Sequence, residues 1–566
     1  MDSAHKRAEA VYNRRVHGQW FTCPNREWGI RLSKKRIVEA TFVIILLGAL
    51  SKVLGFAREQ MIAVYFGATG RTDAYVVANT ITVIITGLLS GPLSTAFLPV
   101  FASHVANDDR QEASRLASSV ITISTLAVLG ISIIAMAKAD TLVAITATGF
   151  TGATFDDAVF LTRVFLPAMA IPLLSAFAKS ILNTCDRFGI PALAPSIQNL
   201  VIVIVIGILA PTLGITSLAI AVVLGYLAAL AIQTPQLVSV AGWPSFSLRI
   251  DESTKKVMRL AVPLMAGSLF SQLYLFVDKN LASHLPEGSI AALSFADRLR
   301  QVPLGLFVAA VVTVVYPNLS TMWAKKDIAG FKETAIMGLR YVEFICIPSA
   351  LGLMVLARPL VRLVFEHGEF TAEATAVTAS ALVAYSPALV FMAATQVIFV
   401  AFYSSQDTRT PVMLSAATAV VNILLDLVLV RFFGHVGLAI ANSLAATLGA
   451  LVGLYALNRL SKLPLKSFAI SLGKILVSSA VMAGVALALS SFLGFEEGAG
   501  SLLRDVITAG IVVGGAFLTY ALVAALLRCE EMSSFIGMVK RRMGKETPVN
   551  RRLATKERRD RKRGRT

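Results

Sequence analysis

Ionisable and metal-binding chemistry is thinly spread along this chain, which holds six histidines and four cysteines in 566 residues. Cys23, Cys185, Cys346 and Cys529 are isolated and form no CxxC pair, so neither a zinc site nor a disulfide framework is expected. The histidines, His5, His17, His104, His284, His367 and His435, are as scattered, and no metal centre is expected from them. No GxxxxGK[ST] loop is present: Leu472-Gly473-Lys474-Ile475 lacks the leading glycine and the hydroxyl residue, which argues against ATP as a direct energy source. A Ser/His/Asp arrangement or an exposed carboxylate cluster of the kind a membrane transferase needs is missing too, so the reading is a non-enzyme without a cofactor. Acidic residues are also few, 34 against 52 Lys and Arg, giving a net charge of +18. That excess flanks apolar runs and carries almost no interleaved aromatic residues, so nucleic acid is not an expected partner.

What the chain has instead is hydrophobicity, at 56% of residues and a mean hydropathy of +0.71. This composition belongs to a polytopic membrane protein. Runs of about 20 apolar residues recur about fourteen times. They begin near Ile37, Ala74, Leu116, Val159, Leu193, Ile215, Val257, Ile290, Thr334, Thr375, Val412, Gly437, Phe468 and Leu502. The expected fold is all-α and integral to the membrane. A polar leader, residues 1–36, carries Lys6, Arg7, Arg14, Arg15, Arg26, Arg31 and Lys34 to Arg36 and shows no small-residue cleavage site, so it is expected to be retained on the cytoplasmic side. With fourteen alternating crossings, about 37 Lys and Arg fall inside and about 7 outside, which puts both termini in the cytoplasm. The basic tail, residues 529–566, ends in Arg558-Arg559-Asp560-Arg561-Lys562-Arg563 and is expected to secure topology and touch anionic membrane lipids.

An internal duplication is legible. Ser217-Leu218-Ala219-Ile220-Ala221 returns as Gly437-Leu438-Ala439-Ile440-Ala441, an offset of 220 residues. Upstream, Asn183-Thr184-Cys185-Asp186-Arg187 with Pro191 is echoed by Ser404-Ser405-Gln406-Asp407-Thr408-Arg409 with Pro411. An offset holding six spans keeps both copies in one orientation, the parallel repeat of two-lobed transporters. The expected organisation is an N-lobe over 37–241, a C-lobe over 242–460 and two appended helices over 461–528. Neither lobe shields its own polar face, so a cavity is expected at their interface.

Cations within apolar runs mark that cavity. One near the bilayer centre costs about 2.5–3.5 kcal/mol and usually faces a bundle interior. Lys52 and Arg58 lie in Ser51-Lys52-Val53-Leu54-Gly55-Phe56-Ala57-Arg58-Glu59, and Arg298 lies in the eighth run. Together they suit an anion: an Arg fork binds phosphate oxygens bidentately and Lys adds a point charge. Structural alternatives stand beside each. Arg58 would serve equally as an external anchor paired with Glu59 or Asp73, and Arg298 as half of an ion pair with Asp278 or Asp297. Asp278-Lys279, Glu343 and Asp426 are further charges in apolar runs. Asp278 and Asp426 are candidates for a coupling cation or proton, and buried pairs that fix helix packing account for them as well.

The stretches Ser51 to Arg58 with Phe66-Gly67-Ala68 and Thr72-Asp73-Ala74, then Ala296-Asp297-Arg298-Leu299 with Pro303-Leu304-Gly305, resemble the MurJ (MviN) lipid II flippases of the multidrug/oligosaccharidyl-lipid/polysaccharide exporter superfamily. So do Ile181-Leu182-Asn183 with Arg187-Phe188, Arg358-Pro359-Leu360 with Phe365-Glu366-His367-Gly368, and Ala401-Phe402-Tyr403 with Gln406 to Pro411. The resemblance runs over about 40 to 460 with the motifs in order. It implies a fourteen-helix, two-lobed fold in the bacterial plasma membrane, with the cationic cavity moving the undecaprenyl-pyrophosphate-linked peptidoglycan precursor to the external leaflet. Carried over, Lys52 stands where the family usually has Arg, Arg58 and Arg298 match cavity arginines, and Asp73 matches an acidic partner, with Asp297 a second supporting carboxylate. The family's second span often carries an Arg-containing stretch, where this chain reads Thr86-Gly87-Leu88-Leu89-Ser90-Gly91-Pro92. That departure keeps open another polyprenyl-linked oligosaccharide, or amphipathic drugs, as cargo. A non-transporting scaffold that gathers cell wall synthesis or division proteins is the rival of a different class. Membrane potential or an ion gradient is the expected drive.

Overall fold

The computed structural model describes residues 34–241, 245–495 and 501–532. Nearly all of the leader and the basic tail lie outside the described residues. No strand occurs among the described residues; the chain is helix after helix. In chain order these are α1 (Lys34–Phe66), α2 (Gly70–Ala106), α3 (Arg110–Ala137), α4 (Ala139–Thr146), α5 (Gly152–Ala168), α6 (Ala170–Thr184), α7 (Gly189–Leu213), α8 (Thr216–Ala241) and α9 (Glu252–Ala282). Then follow α10 (Ser289–Pro303), a π-helical turn at Leu304–Val308, α11 (Ala309–Ala324), α12 (Ile328–Val355), α13 (Ala357–Phe365), α14 (Ala372–Ser404), α15 (Arg409–Ser461), α16 (Leu465–Phe492) and α17 (Leu502–Leu526). By length and composition, twelve helical stretches among the described residues suffice to cross a membrane. One of them, α15, is two helices merged across a kink at Gly434, and α1 is not counted in the twelve. Fifty-six per cent hydrophobic residues thus serve two solvents, since large apolar side chains such as Ile134, Ile208, Phe432 and Phe517 remain exposed on helices of this kind, as lipid-facing residues are.

The sequence duplication is written into the backbone. Asp109 and Asp327 begin α3 and α12, both 28 residues long, and each carboxylate accepts from the amide three residues on, Glu112 at 3.1 Å and Gly330 at 2.9 Å. This is the N-cap that satisfies an orphan amide of the first turn. Asp108 and Lys326 just before them share positive φ, 56° and 58°, as do Asp186 and Gln406, 59° and 63°. Gly214 has φ 50° and ψ −133°, and Gly434, 220 positions later, has φ 56° and ψ −132°. The torsions of Gly214 and Gly434 belong to glycine, and the recurrence of these features at offsets of 218 and 220 is a property of the fold rather than of one loop.

Packing divides the chain into two compact units: Met1–Leu306 with Leu360–Ala388 and Arg409–Gly449, and Phe307–Pro359 with Leu389–Thr408 and Ala450–Thr566. The grouping is one of packing and cuts across the duplicated halves. In the first unit α1 packs on α7, α7 on α8, and α2 on both α5 and α9. Phe97 and Phe177 meet edge to face at 5.4 Å, with Leu116, Val120 and Leu173 buried around them. In the second unit α12 packs on α11 and α16, and α16 on α17. The Tyr520 hydroxyl donates to the Phe344 carbonyl at 2.7 Å, and Arg340 reaches Glu530 and Ser467. Cys346 and Cys529 are buried free thiols.

Candidate functional site: an arginine pair on one carboxylate

The site lies in the first unit and starts from the composition of α1. A helix of apolar residues that carries Arg58 and Glu59 side by side must find partners for both charges inside the protein or lose several kcal/mol. Arg58 donates to Glu59 Oε1 at 2.6 Å through Nη2 and to Asn199 Oδ1 at 3.1 Å through Nη1. Asn199, on α7, also donates through Nδ2 to the Ser51 carbonyl at 3.3 Å. Gly55 lies against this contact, and a Cβ there would meet Asn199 Nδ2 at an ordinary 3.4 Å. Glu59 is buried, and the same Oε1 lies 3.4 Å from Nε of Arg298. One carboxylate therefore faces two guanidinia, contributed by α1 and α10. Their exposure differs: the Arg58 side chain is 20% exposed and Arg298 42%. Arg298 is the one that offers donors outward.

Lys52 is exposed on the same helix. A Cβ added to Gly305, at the π-helical turn, would meet its Cε at 3.3 Å and its Nζ at 3.6 Å. The turn follows Pro303, which supplies no amide to the helix ladder, and a π-turn is a frequent break at working sites.

The expected supporting carboxylates act elsewhere. Asp73 does not pair with Arg58: its Oδ2 accepts from the Gly288 amide at 2.6 Å and its Oδ1 from the Ala291 amide at 2.7 Å. It caps α10 from a distance of more than two hundred positions in sequence, placing negative charge where the helix dipole is positive. Asp297 serves Arg300 and Gln301 rather than Arg298. Arg300 is itself buried, with its guanidinium carbon 5.2 Å from the Tyr385 ring centroid. Asp278 is bonded to Lys279 at 2.9 Å. Asp426 is fully buried, Oδ1 lies 3.4 Å from Asn422 Nδ2, and Oδ2 has no hydrogen-bond partner among the described residues. Lys52, Arg58 and Arg298 thus lie on α1 and α10, while Asp73 sits apart at the start of α10 and Asp278, Asp297 and Asp426 share the surroundings of Tyr385. Glu59 is the residue whose bridging role the sequence did not disclose; its place beside Arg58 was the available signal.

The loops beside the site close backbone to backbone. Gly288 at φ 87° would drive a Cβ to 2.2 Å from the Ala68 carbonyl oxygen, and Gly368 at φ 61° would drive one to 2.2 Å from that of Val64. The Glu369 amide donates to the same Val64 carbonyl at 2.9 Å. Beneath these contacts Phe295 and Phe365 meet at 4.9 Å, with Phe56 and Phe370 at 6.2 and 5.7 Å from Phe365.

The chain as a whole is similar to known proteins. Residues 62–507 match the family model described as lipid II flippase MurJ. A probable lipid II flippase MurJ of Vibrio cholerae is 32% identical over 433 residues, 73% of this chain and 81% of that protein. A lipid II flippase MurJ of Burkholderia cenocepacia is 31% identical over 71% of this chain and 80% of its own length. Among solved structures, a lipid II flippase MurJ in an inward closed conformation superposes with a TM-score of 0.73 at 27% identity, covering 86% of this chain and 98% of that one. An inward-facing multidrug resistance MATE family transporter of the MOP superfamily shares the fold alone, with a TM-score of 0.62 at 16% identity over 74% and 99%. A helical membrane chain with two arginines on one buried carboxylate, matched by the family model over most of its length, belongs to the MurJ lipid II flippase family.

Proposed function

We propose that this protein translocates lipid II, the undecaprenyl-pyrophosphate-linked peptidoglycan precursor, from the cytoplasmic to the external leaflet of the bacterial plasma membrane for cell wall synthesis. It works as an alternating-access transporter rather than an enzyme. Fourteen spans, six in each duplicated lobe and two appended, keep both termini cytoplasmic. The observation that carries the reading is the shared carboxylate: Glu59 neutralises at most one of Arg58 and Arg298, and Arg298 is 42% exposed. An arriving diphosphate takes the guanidinium donors that Glu59 leaves unsatisfied, with Lys52 adding a point charge. Binding drives the change of facing only as far as the two facings differ in affinity for the diphosphate.

Asp426 supports a coupling role. Its Oδ2 and Asn442 Oδ1 are both buried without a hydrogen-bond partner, and Asp426 lies within electrostatic reach of Asp278 and Lys279. A buried orphan oxygen is costly unless something occupies it, and a monovalent cation or a proton at Asp426 Oδ2 removes that cost.

The direct test is lipid II movement in liposomes holding wild type or Arg298→Ala at matched abundance. The variant is expected to lose at least about tenfold in rate, the effect of one charge-assisted contact to phosphate. An unchanged rate removes Arg298 from the binding machinery.

A further inference from the structure

Away from the arginine pair, the first unit holds a cavity of about 310 Å³ lined by Asp140 of α4 and by Phe155, Asp156, Val159, Phe160 and Arg163 of α5. Asp156, Val159, Phe160 and Arg163 follow one another at helical spacings of three, four and seven, so they form one stripe on α5. That stripe belongs to a candidate membrane span, Gly152–Thr184. Three of its four residues face outward: Phe160 is 39% exposed and Asp156 and Arg163 are exposed, while Val159 is buried. An outward arginine on a membrane span is expensive unless an anion or water meets it. Arg163 forms no ion pair or hydrogen bond among the described residues, so the protein itself does not offset that cost.

We propose that this cavity holds the headgroup of a zwitterionic phospholipid with a primary ammonium, phosphatidylethanolamine in chemistry. The order of charges along the stripe matches the headgroup. Arg163 lies about 10 Å further along α5 than Asp156 at 1.5 Å per residue, deeper into the span, where the lipid phosphate sits, and its long side chain reaches up toward it. Asp140 and Asp156 line the same cavity and accept hydrogen bonds from the ammonium. Phe160, exposed between Asp156 and Arg163, lies against the start of an acyl chain. A phosphatidylcholine headgroup meets the same Arg163 but has no N–H to give the carboxylates, and phosphatidylglycerol has no cation at all. The site is separate from the proposed cargo site.

The experiment is native mass spectrometry of the full-length protein released from nanodiscs of equimolar phosphatidylethanolamine, phosphatidylcholine and phosphatidylglycerol. Wild type is expected to retain one phosphatidylethanolamine in preference to the others. Arg163→Gln and the double change Asp140→Asn with Asp156→Asn are each expected to reduce that retention about tenfold, the loss of one charge-assisted hydrogen bond. Phosphatidylcholine retention is expected to fall with Arg163→Gln and to stay unchanged in the double variant. Thermal midpoints in lipid-free detergent, equal for all three proteins, separate lost binding from lost folding. Equal retention of the three lipids by wild type, or no effect of either variant, overturns the proposal and leaves Arg163 as an interfacial side chain that snorkels to water.

Discussion

The carboxylate of Glu59 joins two arginines from distant parts of the chain, and its energetics can be read by a thermodynamic cycle. Glu59→Ala leaves Arg58 partly buried beside Arg298 without compensation, for a loss of about 3 kcal/mol at most, since both guanidinia retain some access to solvent. Combining it with Arg298→Ala is expected to cost less than the sum of the single changes, with a coupling of about 0.5–3 kcal/mol in thermal unfolding of the detergent-solubilised protein. Strict additivity shows that the 3.4 Å pair contributes nothing. Asp73 gives a second prediction. Asp73→Ala removes two short bonds to the Gly288 and Ala291 amides, and, at about 1–2 kcal/mol for a cap, hydrogen exchange at these amides is expected to accelerate about tenfold. Lys52, Arg58 and Arg298 were legible in the sequence because a cation inside an apolar run has few reasons to be there. The duties of Asp73 and Asp297 were not, because a carboxylate's partner is chosen by tertiary contact: Asp73 faced a helix terminus 215 positions away, and Asp297 turned to Arg300 three positions on along its own helix.

At the level of helices, hydropathy located the elements and shifted their starts. The apolar runs near Ala74, Leu116 and Val159 begin several residues inside α2, α3 and α5, which start at Gly70, Arg110 and Gly152. Polar first turns such as Arg110-Gln111-Glu112 are helical because Asp109 caps them, not because they are apolar. The run that opens at Val412 and the one at Gly437 fall in the single element α15, where only the reversal at Gly434 divides them. The contact at Gly288 is testable at this level. Gly288→Ala must leave φ 87° or push back the Ala68 carbonyl, so a loss of about 1–3 kcal/mol is expected as a lowered thermal midpoint. Gly91→Ala, where a Cβ meets nothing within 4 Å, is expected to leave that midpoint unchanged or raise it, since alanine is the better helix former.

For the molecule as a whole, the duplication was the most informative thing the amino acids carried, and the torsions at Asp186 and Gln406, or Gly214 and Gly434, reproduce it with no similarity of side chain required. The cargo and the drive are a different matter, since neither follows from helix number or repeat. They turn on how many charges the protein carries through the membrane field. Lys52, Arg58 and Arg298 set against Glu59 leave two positive charges in excess, and a diphosphate diester brings about two negative ones. In the proposed cycle the loaded stroke would be close to electroneutral, whereas the empty carrier would return as a dication. With the cell interior negative, the voltage would then act on the return, by up to about 2.3 kcal/mol per charge for each 100 mV crossed, as the alternative to a cation or proton at Asp426. Turnover in proteoliposomes is therefore expected to rise with an inside-negative diffusion potential, and a single-turnover transfer of bound lipid to be nearly indifferent to it.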